Sequence, residues 1–219
     1  ITVVFLMTPL LNQAKDIEFP LLQSFSYFPY SENELLEQNR WSLGVDLYHS
    51  NIFTFNKKDQ IMNDFELTSF TIGVRYGITG WLTAETYFRY GALSGGFLDG
   101  FIENFHATFG LPDAYRPDYP RDIVSYYKED YFSYSENTGS PSPLILAALV
   151  KLYEGNRFSV KSRIAFGLPL KSKPGISSDK PFLTAGLILS YQHADFHVDL
   201  SNYISWFKEP EWLLSADLD

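Results

Sequence analysis

The chain has 219 residues, of which 45% are hydrophobic and 17% aromatic, and its formal net charge is −9. Because cysteine is absent, thiol catalysis, disulfides and cysteine-based zinc sites are excluded. The acidic balance argues against nucleic acid as a partner, since phosphate binding needs a basic surface. The length allows one large β domain or two small ones, and aromatic residues favour pleated sheets.

The first residues resemble the end of a secretory signal peptide. An apolar run over 1–11 precedes Asn12, Gln13 and Ala14, and charged residues follow. We interpret residues 1–14 as the remnant of such a peptide, cleaved near Ala14; the alternative is a first strand or a short buried segment. Residues 15–40 are then an irregular leader. No stretch reaches the ~20 apolar residues of a membrane-spanning helix.

A strict period of two begins at Trp41. Over 157–168 the even positions are almost all apolar, whereas Lys161 and Arg163 occupy odd positions. This period predicts a strand with one face in apolar and one in polar surroundings. A soluble sandwich puts the polar face in bulk water, whereas a membrane barrel turns the apolar face to lipid and the polar face to a wet lumen. The strands predicted in this way are Trp41–Phe55, Phe65–Ile78, Trp81–Leu93, Ile123–Ser135, Leu144–Tyr153, Phe158–Leu168, Phe182–Gln192 and Phe196–Phe207.

Strands in hairpin order without helical crossovers predict an antiparallel sheet. The fold class that we expect is all-β, an antiparallel up-and-down β-barrel of the membrane type, incomplete in this chain, with one short amphipathic helix inserted between strands. The continuously aromatic apolar face favours lipid over water. We assign the barrel domain to 41–207, the helical insertion to 95–121 and the start of a truncated C-terminal part to 208–219.

The polar face of these strands supplies candidates for the lining of a lumen. If the sheet closes, their charges set the electrostatics of the interior. The alternative is a solvated sheet face that binds no ligand. Opposite charges such as those of Glu85 and Arg89 would equally pair and seal a small barrel. The lumen-facing candidates are Arg75, Glu85, Arg89, Lys161, Arg163, His197 and Asp199.

Residues 97–109 switch to a helical period. Their apolar stripe must be buried, either at the mouth of the barrel, in the lipid interface or against a partner. Gly110 and Pro112 are stop signals, and Gly95 and Gly96 let the chain turn away from the preceding strand. We predict an ordered helix docked at one end of the barrel. The stripe consists of Phe97, Leu98, Phe101, Ile102, Phe105 and Phe109.

The opposite side of this helix carries Asp99, Glu103 and His106. Steps of four and three residues place them on one face. Carboxylates and a histidine at this spacing are able to bind a divalent metal or to act as an acid–base pair. The plainer interpretation, which we adopt, is the water-facing side of an amphipathic helix. We therefore expect no catalytic residue, no metal, no cofactor and no enzymatic activity.

The segment Leu93–Pro120 carries a longer motif. The sequence SGGFLDGFIENFH at 94–106, followed by FGLP at 109–112 and Arg116, resembles the signature of the bacterial domain-of-unknown-function 3187 family. The His49-Ser50-Asn51 strand, the Tyr76–Thr79 hairpin and Gly167-Leu168-Pro169 also fit, so the resemblance covers residues 20–207. Where the family favours a glycine-rich turn and an acidic residue before Leu144, this chain has SPSP at 140–143.

The resemblance implies a β-barrel-like protein of the Gram-negative envelope, which we expect in the outer membrane. It implies no established activity, substrate or catalytic residue. Its motif residues in the insertion are Gly95, Gly96, Asp99, Glu103, His106, Pro112 and Arg116.

We expect a porin-like or solute-binding barrel that acts passively, with the outer-membrane bilayer and a small solute as partners. Two alternatives stay open. One is a non-transporting structural or assembly barrel of the envelope. The other is an outer-membrane enzyme that uses the Asp99, Glu103 and His106 face of the helix.

Overall fold

The computed structural model describes residues 2–8, 33–56, 61–112, 120–128, 132–193 and 196–207. Within these ranges one helix, α1 (Leu98–Phe109), lies between the fourth and fifth strands. The strands are β1 (Thr2–Thr8), β2 (Trp41–Asn56), β3 (Ile61–Thr79), β4 (Leu82–Ser94), β5 (Tyr126–Lys128), β6 (Phe132–Tyr134), β7 (Thr138–Pro141), β8 (Leu144–Glu154), β9 (Phe158–Leu168), β10 (Phe182–His193) and β11 (Phe196–Phe207).

Nine of these strands form one antiparallel sheet. Its order is β1-β11-β10-β9-β8-β4-β3-β2, and the short β7 pairs with the last part of β4. Strands β5 and β6 form a separate hairpin. The sheet follows an up-and-down course and curls into a half-barrel, with β1 and β2 at its edges among the residues described. The predicted fold class, an antiparallel up-and-down sheet with one short helix between strands, is confirmed.

The two ends of the half-barrel differ in their connections. At one end, which we name the turn end, residues 80–81 join β3 to β4 and residues 155–157 join β8 to β9. At the other, the loop end, the connections are residues 95–143 between β4 and β8 and residues 169–181 between β9 and β10. The helix therefore belongs to the loop end.

Strand β9 shows which way the sheet faces. Arg163 and Ala165 are buried inside the curl, whereas the alternate residues Ile164 and Phe166 are exposed on the outside. Lys161 and Arg163 thus lie on the inner face, and contact of the outer face with lipid stays a prediction. The same outer surface includes Trp41, Leu43, Val45, Leu47, Phe70, Ile72, Leu146, Phe158, Leu183, Leu187, Leu189 and Leu200.

An apolar cluster fills the inner side of the sheet at the loop end. It joins the ends of β2, β3 and β4 to the chain that returns after α1. Tyr126 donates a hydrogen bond from its hydroxyl to the carbonyl of Gly175, at 3.0 Å, and Tyr134 donates to the carbonyl of Pro174. Burial, with the neighbouring Tyr134, raises the pKa of the Tyr126 hydroxyl. The cluster consists of Ile52, Phe65, Leu67, Leu93, Val124, Tyr126 and Ile176.

Two assignments made from the sequence, one for Ile123–Ser135 and one for the first residues of the chain, differ in outcome. The single strand predicted over Ile123–Ser135 is wrong: this stretch holds one bridge, between Ser125 and Asp64, and the short hairpin of β5 and β6. The bridge forms because β4 leaves the edge of β3 opposite Glu66. Residues Thr2–Thr8 pair with β11, as in the alternative of a first strand. Cleavage near Ala14 stays a prediction, since residues 9–32 lie outside the described residues.

Candidate functional site: a charged interior and a helix held by carboxylates

A buried carboxylate organises the charges inside the curl. Glu85 on β4 stands directly opposite Arg75 on β3, and the Arg75 Nε lies 3.1 Å from its Oε1. Arg163 reaches the same carboxylate from β9, with its Nε 3.0 Å from Oε2. All three side chains are buried. One negative charge is thus shared between two guanidinium groups: Arg75 Nε and Arg163 Nη2 both donate to Oε1, at 3.1 and 3.2 Å.

The other charges predicted on the inner face extend this cluster. Arg89 is buried and its Nε donates to the hydroxyl of Thr71 at 3.3 Å, while Arg163 also contacts the hydroxyl of Tyr203. The suggested pairing of Glu85 with Arg89 is replaced by cross-strand partners. Glu85 and Arg89 are four residues apart on β4, so their Cα atoms lie about 13 Å apart, and an ion pair between them is disfavoured.

A short segment before β2 crosses the interior at the turn end; we name residues 33–37 the inner segment. The carbonyl of Asn33 accepts a hydrogen bond from Lys161 Nζ at 2.5 Å, and its amide donates to Asp199 at 3.1 Å. Leu36 N donates to the hydroxyl of Thr83 at 2.9 Å. The predicted residues Lys161 and Asp199 therefore meet through the inner segment. The side chain of His197 lies outside the described residues.

A cavity of about 410 Å³ lies between the inner segment and the turn-end hairpins. Its lining is mixed in charge and includes Glu37, Lys151, Arg157, Lys161 and Ser190. This volume is within the range of small-molecule sites.

The second polar region lies on the outside of the sheet at the loop end. The period of two puts Glu66 on the same face as Phe70 and Ile72, yet Glu66 is fully buried. It is covered by the start of α1: its Oε1 accepts hydrogen bonds from the backbone N–H groups of Phe97, at 2.7 Å, and Leu98. A carboxylate at a helix N-terminus satisfies free N–H groups and opposes the positive end of the helix dipole.

His49 and Asn51 complete a surface that we name the docking platform, together with Glu66. The Nε2 of His49 lies 2.9 Å from Glu66 Oε2, and the amide of Asn51 donates to Asp99 Oδ1 at 2.6 Å. Asp99 also accepts from the backbone N–H of Asp122, in the chain that returns after the helix, at 2.8 Å. All platform residues occupy outer-face positions of β2 and β3. The helix is therefore fastened by polar contacts to the outside of the sheet and to the returning chain.

Glu103, one turn after Asp99, adds an ion pair with Arg121. Asp99 and Glu103 are both buried, and His106 is half-buried. The three residues share one face, as predicted, but that face lies against the protein.

The predicted orientation of α1 is wrong. The side chain of Phe101 is 66% exposed, while Asp99 is 1% exposed. Phe97, Phe105 and Phe109 are exposed as well, and Phe97 stacks on the ring of His49 with a centroid distance of 5.7 Å. The reason lies in the partners of the two carboxylates. Asn51 of the platform and the backbone of Asp122 donate hydrogen bonds to Asp99, and Arg121 pairs with Glu103. The polar side therefore docks, and the aromatic side faces outward.

The glycines of the motif have separate tasks. Gly96 has a φ of 67°, and an added Cβ would lie 1.7 Å from the Glu66 carboxyl carbon. At Gly95 an added Cβ would lie 2.0 Å from the Asp122 carbonyl oxygen. Both positions let the backbone approach closely, which glycine alone permits. Pro112 is exposed after the helix, and Arg116 lies outside the described residues.

The residues of the described ranges contain no group of three or more His, Cys, Asp or Glu side chains placed to hold a metal ion. Nor does any helix among them combine the length and the apolar character needed to cross a membrane.

Residues 6–205 match the family DUF3187, described as a protein of unknown function. The chain belongs to the DUF3187 family. No curated protein and no solved structure matches it. The match includes β2 to β10, the insertion with α1 and nearly all of β11, so both polar regions lie within the part that defines the family.

The roles of several residues in these regions were not predicted. Asn33 lies in a segment without periodicity, so no pattern pointed to it. His49 and Asn51 belong to the family motif, but their docking role has a separate signal in the sequence: with Glu66 they interrupt an otherwise apolar face. Polar side chains on such a face mark a place where another part of the chain docks.

Proposed function

We propose that this DUF3187 protein is an outer-membrane β-barrel protein without enzymatic activity, whose polar interior binds or passes a small solute. The observation that supports it best is the inverted facing of the sheet. Arg75, Glu85 and Arg163 are buried inside, while leucine, isoleucine and phenylalanine side chains cover the outside. Water disfavours a large continuous apolar surface, and lipid favours one.

The ends of the sheet support the same proposal. Trp41 and Trp81 are exposed at the turn end, and Trp206 is exposed at the loop end. Membrane barrels carry aromatic bands at both interfaces, with short turns on one side and long loops on the other. Both features occur together here.

The charged side chains of the interior indicate the chemical class of the solute. Arg75 and Arg163 contact the acidic Glu85. Lys161 and Asp199 both bind Asn33, and Arg89 adds a further buried positive charge to the inner face. Such charges, when they lie behind a lipid-facing surface, are typical of a polar path or binding cavity. The cavity beside the inner segment offers space for a small polar solute.

A second candidate function has an observation of its own. The inner segment crosses the interior and binds residues of β4, β9 and β11, and the Glu85 cluster joins β3, β4 and β9. An interior occupied by the inner segment and the Glu85 cluster favours a closed, structural barrel that passes no solute.

Site-directed labelling tests the membrane assignment, since the chain has no cysteine of its own. In vesicles, the full-length protein with Ile164→Cys should resist a water-soluble thiol reagent until it is unfolded. Asn156→Cys in the exposed β8–β9 turn is the control and should react at once in inside-out or permeabilised vesicles. Rapid reaction of Ile164→Cys in intact, folded protein would exclude a lipid-facing sheet.

Planar-bilayer recording on the full-length protein separates the two candidates. Discrete conductance steps support a solute path, and inserted but silent protein supports a closed barrel. Asn33→Ala removes contacts of the inner segment to Asp199 and Arg163 and should raise conductance if that segment restricts the path. Asn202→Ala is the matched control, because this exposed asparagine lies on the outer face of β11, opposite Leu187.

A further inference from the structure

The side of α1 that carries Phe101, Phe105 and Phe109 is an exposed surface among the described residues. We propose that α1 lies along the boundary between lipid headgroups and acyl chains, in the leaflet at the loop end, with its phenylalanine stripe in contact with lipid. The proposal rests on the membrane function above and adds to it a second lipid contact, made by the insertion and not by the sheet.

The position of the helix supports this occupant. On β2 the outer face is apolar through Leu43, Val45 and Leu47 and then becomes polar at His49 and Asn51. Neighbouring outer positions are about 7 Å apart along a strand, so the platform begins directly where the apolar belt ends. A helix fastened there stands at the depth where hydrocarbon gives way to headgroups.

Strand β3, which pairs with β2, has the same boundary between apolar and polar residues on its outer face. Phe70 and Ile72 are exposed and apolar, whereas Thr68 and Glu66 beyond them are polar. Because β2 and β3 pair with His49 opposite Thr68, the two boundaries coincide. The apolar belt therefore ends at the same register on β2 and β3, next to α1.

The surface of the helix fits lipid better than water. Its two acidic side chains, Asp99 and Glu103, are buried against the protein. The exposed positions carry no charge; they are Phe101, Asn104, Phe105, Ala107, Thr108 and Phe109. An apolar helix face continuous with an apolar sheet face is typical of an interfacial helix. In membrane barrels the long loops lie on the outer side, which assigns this helix to the outer leaflet.

The docking contacts explain how the helix keeps this orientation. Most amphipathic helices dock on their protein through the apolar side, which would hide the phenylalanines. Here Glu66 binds the first N–H groups of α1 and Asp99 binds the platform and the returning chain. These bonds lock the helix with its aromatic side turned away from the sheet.

Spin labels on single cysteines test the proposal in the full-length protein, reconstituted in vesicles of phosphatidylcholine and phosphatidylglycerol. Labels are placed at Phe101→Cys and Phe105→Cys, with Ile164→Cys as the reference for the acyl region and Asn156→Cys as the reference for water. Ala107→Cys lies on the flank of the same helix. We expect labels 101 and 105 to collide severalfold more with oxygen than with a water-soluble nickel chelate, at a shallower depth than label 164.

The outcomes separate this inference from the proposed function. Free access of nickel to labels 101 and 105, with label 164 protected, overturns the lipid contact of α1 and leaves the membrane sheet intact. Nickel access at 164 as well overturns both. Labels 101 and 105 that are immobile and shielded from both reagents show a protein partner or a second copy, which also overturns the proposal. A gradient from 107 to 101 towards lipid supports it.

Discussion

Two regions of this protein bury carboxylates, and they do so by different means. Inside the curl, Glu85 meets the guanidinium groups of Arg75 and Arg163. Outside, at the loop end, Glu66 meets backbone N–H groups and a histidine ring. The first arrangement pairs full charges across strands, and the second uses a carboxylate to hold the start of a helix.

The difference shows that the structural role of an acidic residue depends on whether it lies on the inner or the outer face of the sheet. Glu85 occupies an inner position, on the same face as buried arginines of β3, β4 and β9. Glu66 occupies an outer position beyond the apolar Phe70 and Ile72, with Asn51 directly opposite it on β2. A buried charge is costly unless another segment covers it with donors. In this protein α1 supplies that cover.

The largest effect is expected from breaking the interior pair. Glu85→Ala leaves Arg75 and Arg163 buried without their anion, and removing one partner of a buried ion pair costs about 3–5 kcal/mol. Denaturant unfolding of the protein in detergent micelles measures the loss. Glu154→Ala is the control, because this exposed turn carboxylate pairs with Lys151 and should change stability little. An equal loss in both variants would contradict a special role for Glu85.

The close contact between Gly96 and Glu66 gives the next test. Gly96→Ala adds a Cβ in a left-handed conformation and against the carboxylate, for which we expect a loss of about 2–4 kcal/mol. Gly110→Ala shares the left-handed φ, at 65°, but meets no atom within 4 Å. It should lose only about 1–2 kcal/mol. Equal losses would show that the platform contact does not limit this position.

Removing the charge of Glu66 probes the platform alone. Glu66→Gln keeps the volume but weakens hydrogen bonds to a charged acceptor, for which we expect a loss of about 1–3 kcal/mol. The insertion should also become a preferred site of limited proteolysis, because α1 loses its hold on the sheet. Glu37→Gln, at an exposed carboxylate, serves as the control. Unchanged proteolysis of residues 95–125 in the Glu66 variant would refute the docking role.

The smallest effect is expected on the outer side of α1. Phe101→Ser combined with Phe105→Ser should change the free energy of unfolding in detergent by no more than about 0.5 kcal/mol, as is usual for surface positions. A buried stripe would instead lose about 3–8 kcal/mol for the two rings. The same double variant should bind more weakly to lipid vesicles when the insertion is released by proteolysis, if its rings contact lipid. A large loss of stability would restore the orientation predicted from the sequence.

The sequence by itself determined seven of the eight predicted strands, all but Ile123–Ser135, and which residues of each strand share a face. Alternation is a local property: once residues 157–168 are extended, Arg163 and Ile164 must face opposite ways, whatever the rest of the chain does. The extent of α1 was equally local, because a stripe of period 3.6 between Gly96 and Gly110 needs no distant partner to be recognised.

Only the tertiary structure decided what each face meets. The partners of Glu85 depend on the register of β3 with β4 and on the position of β9, which no short pattern encodes. The orientation of α1 depends on His49, Asn51 and Glu66, which precede it by 30 or more residues in the chain. An amphipathic helix has two usable faces, and its periodicity is the same whichever face docks. The docked face carries Asp99 and Glu103, and burying these carboxylates is costly unless donors are supplied, which Asn51, the backbone of Asp122 and Arg121 do here.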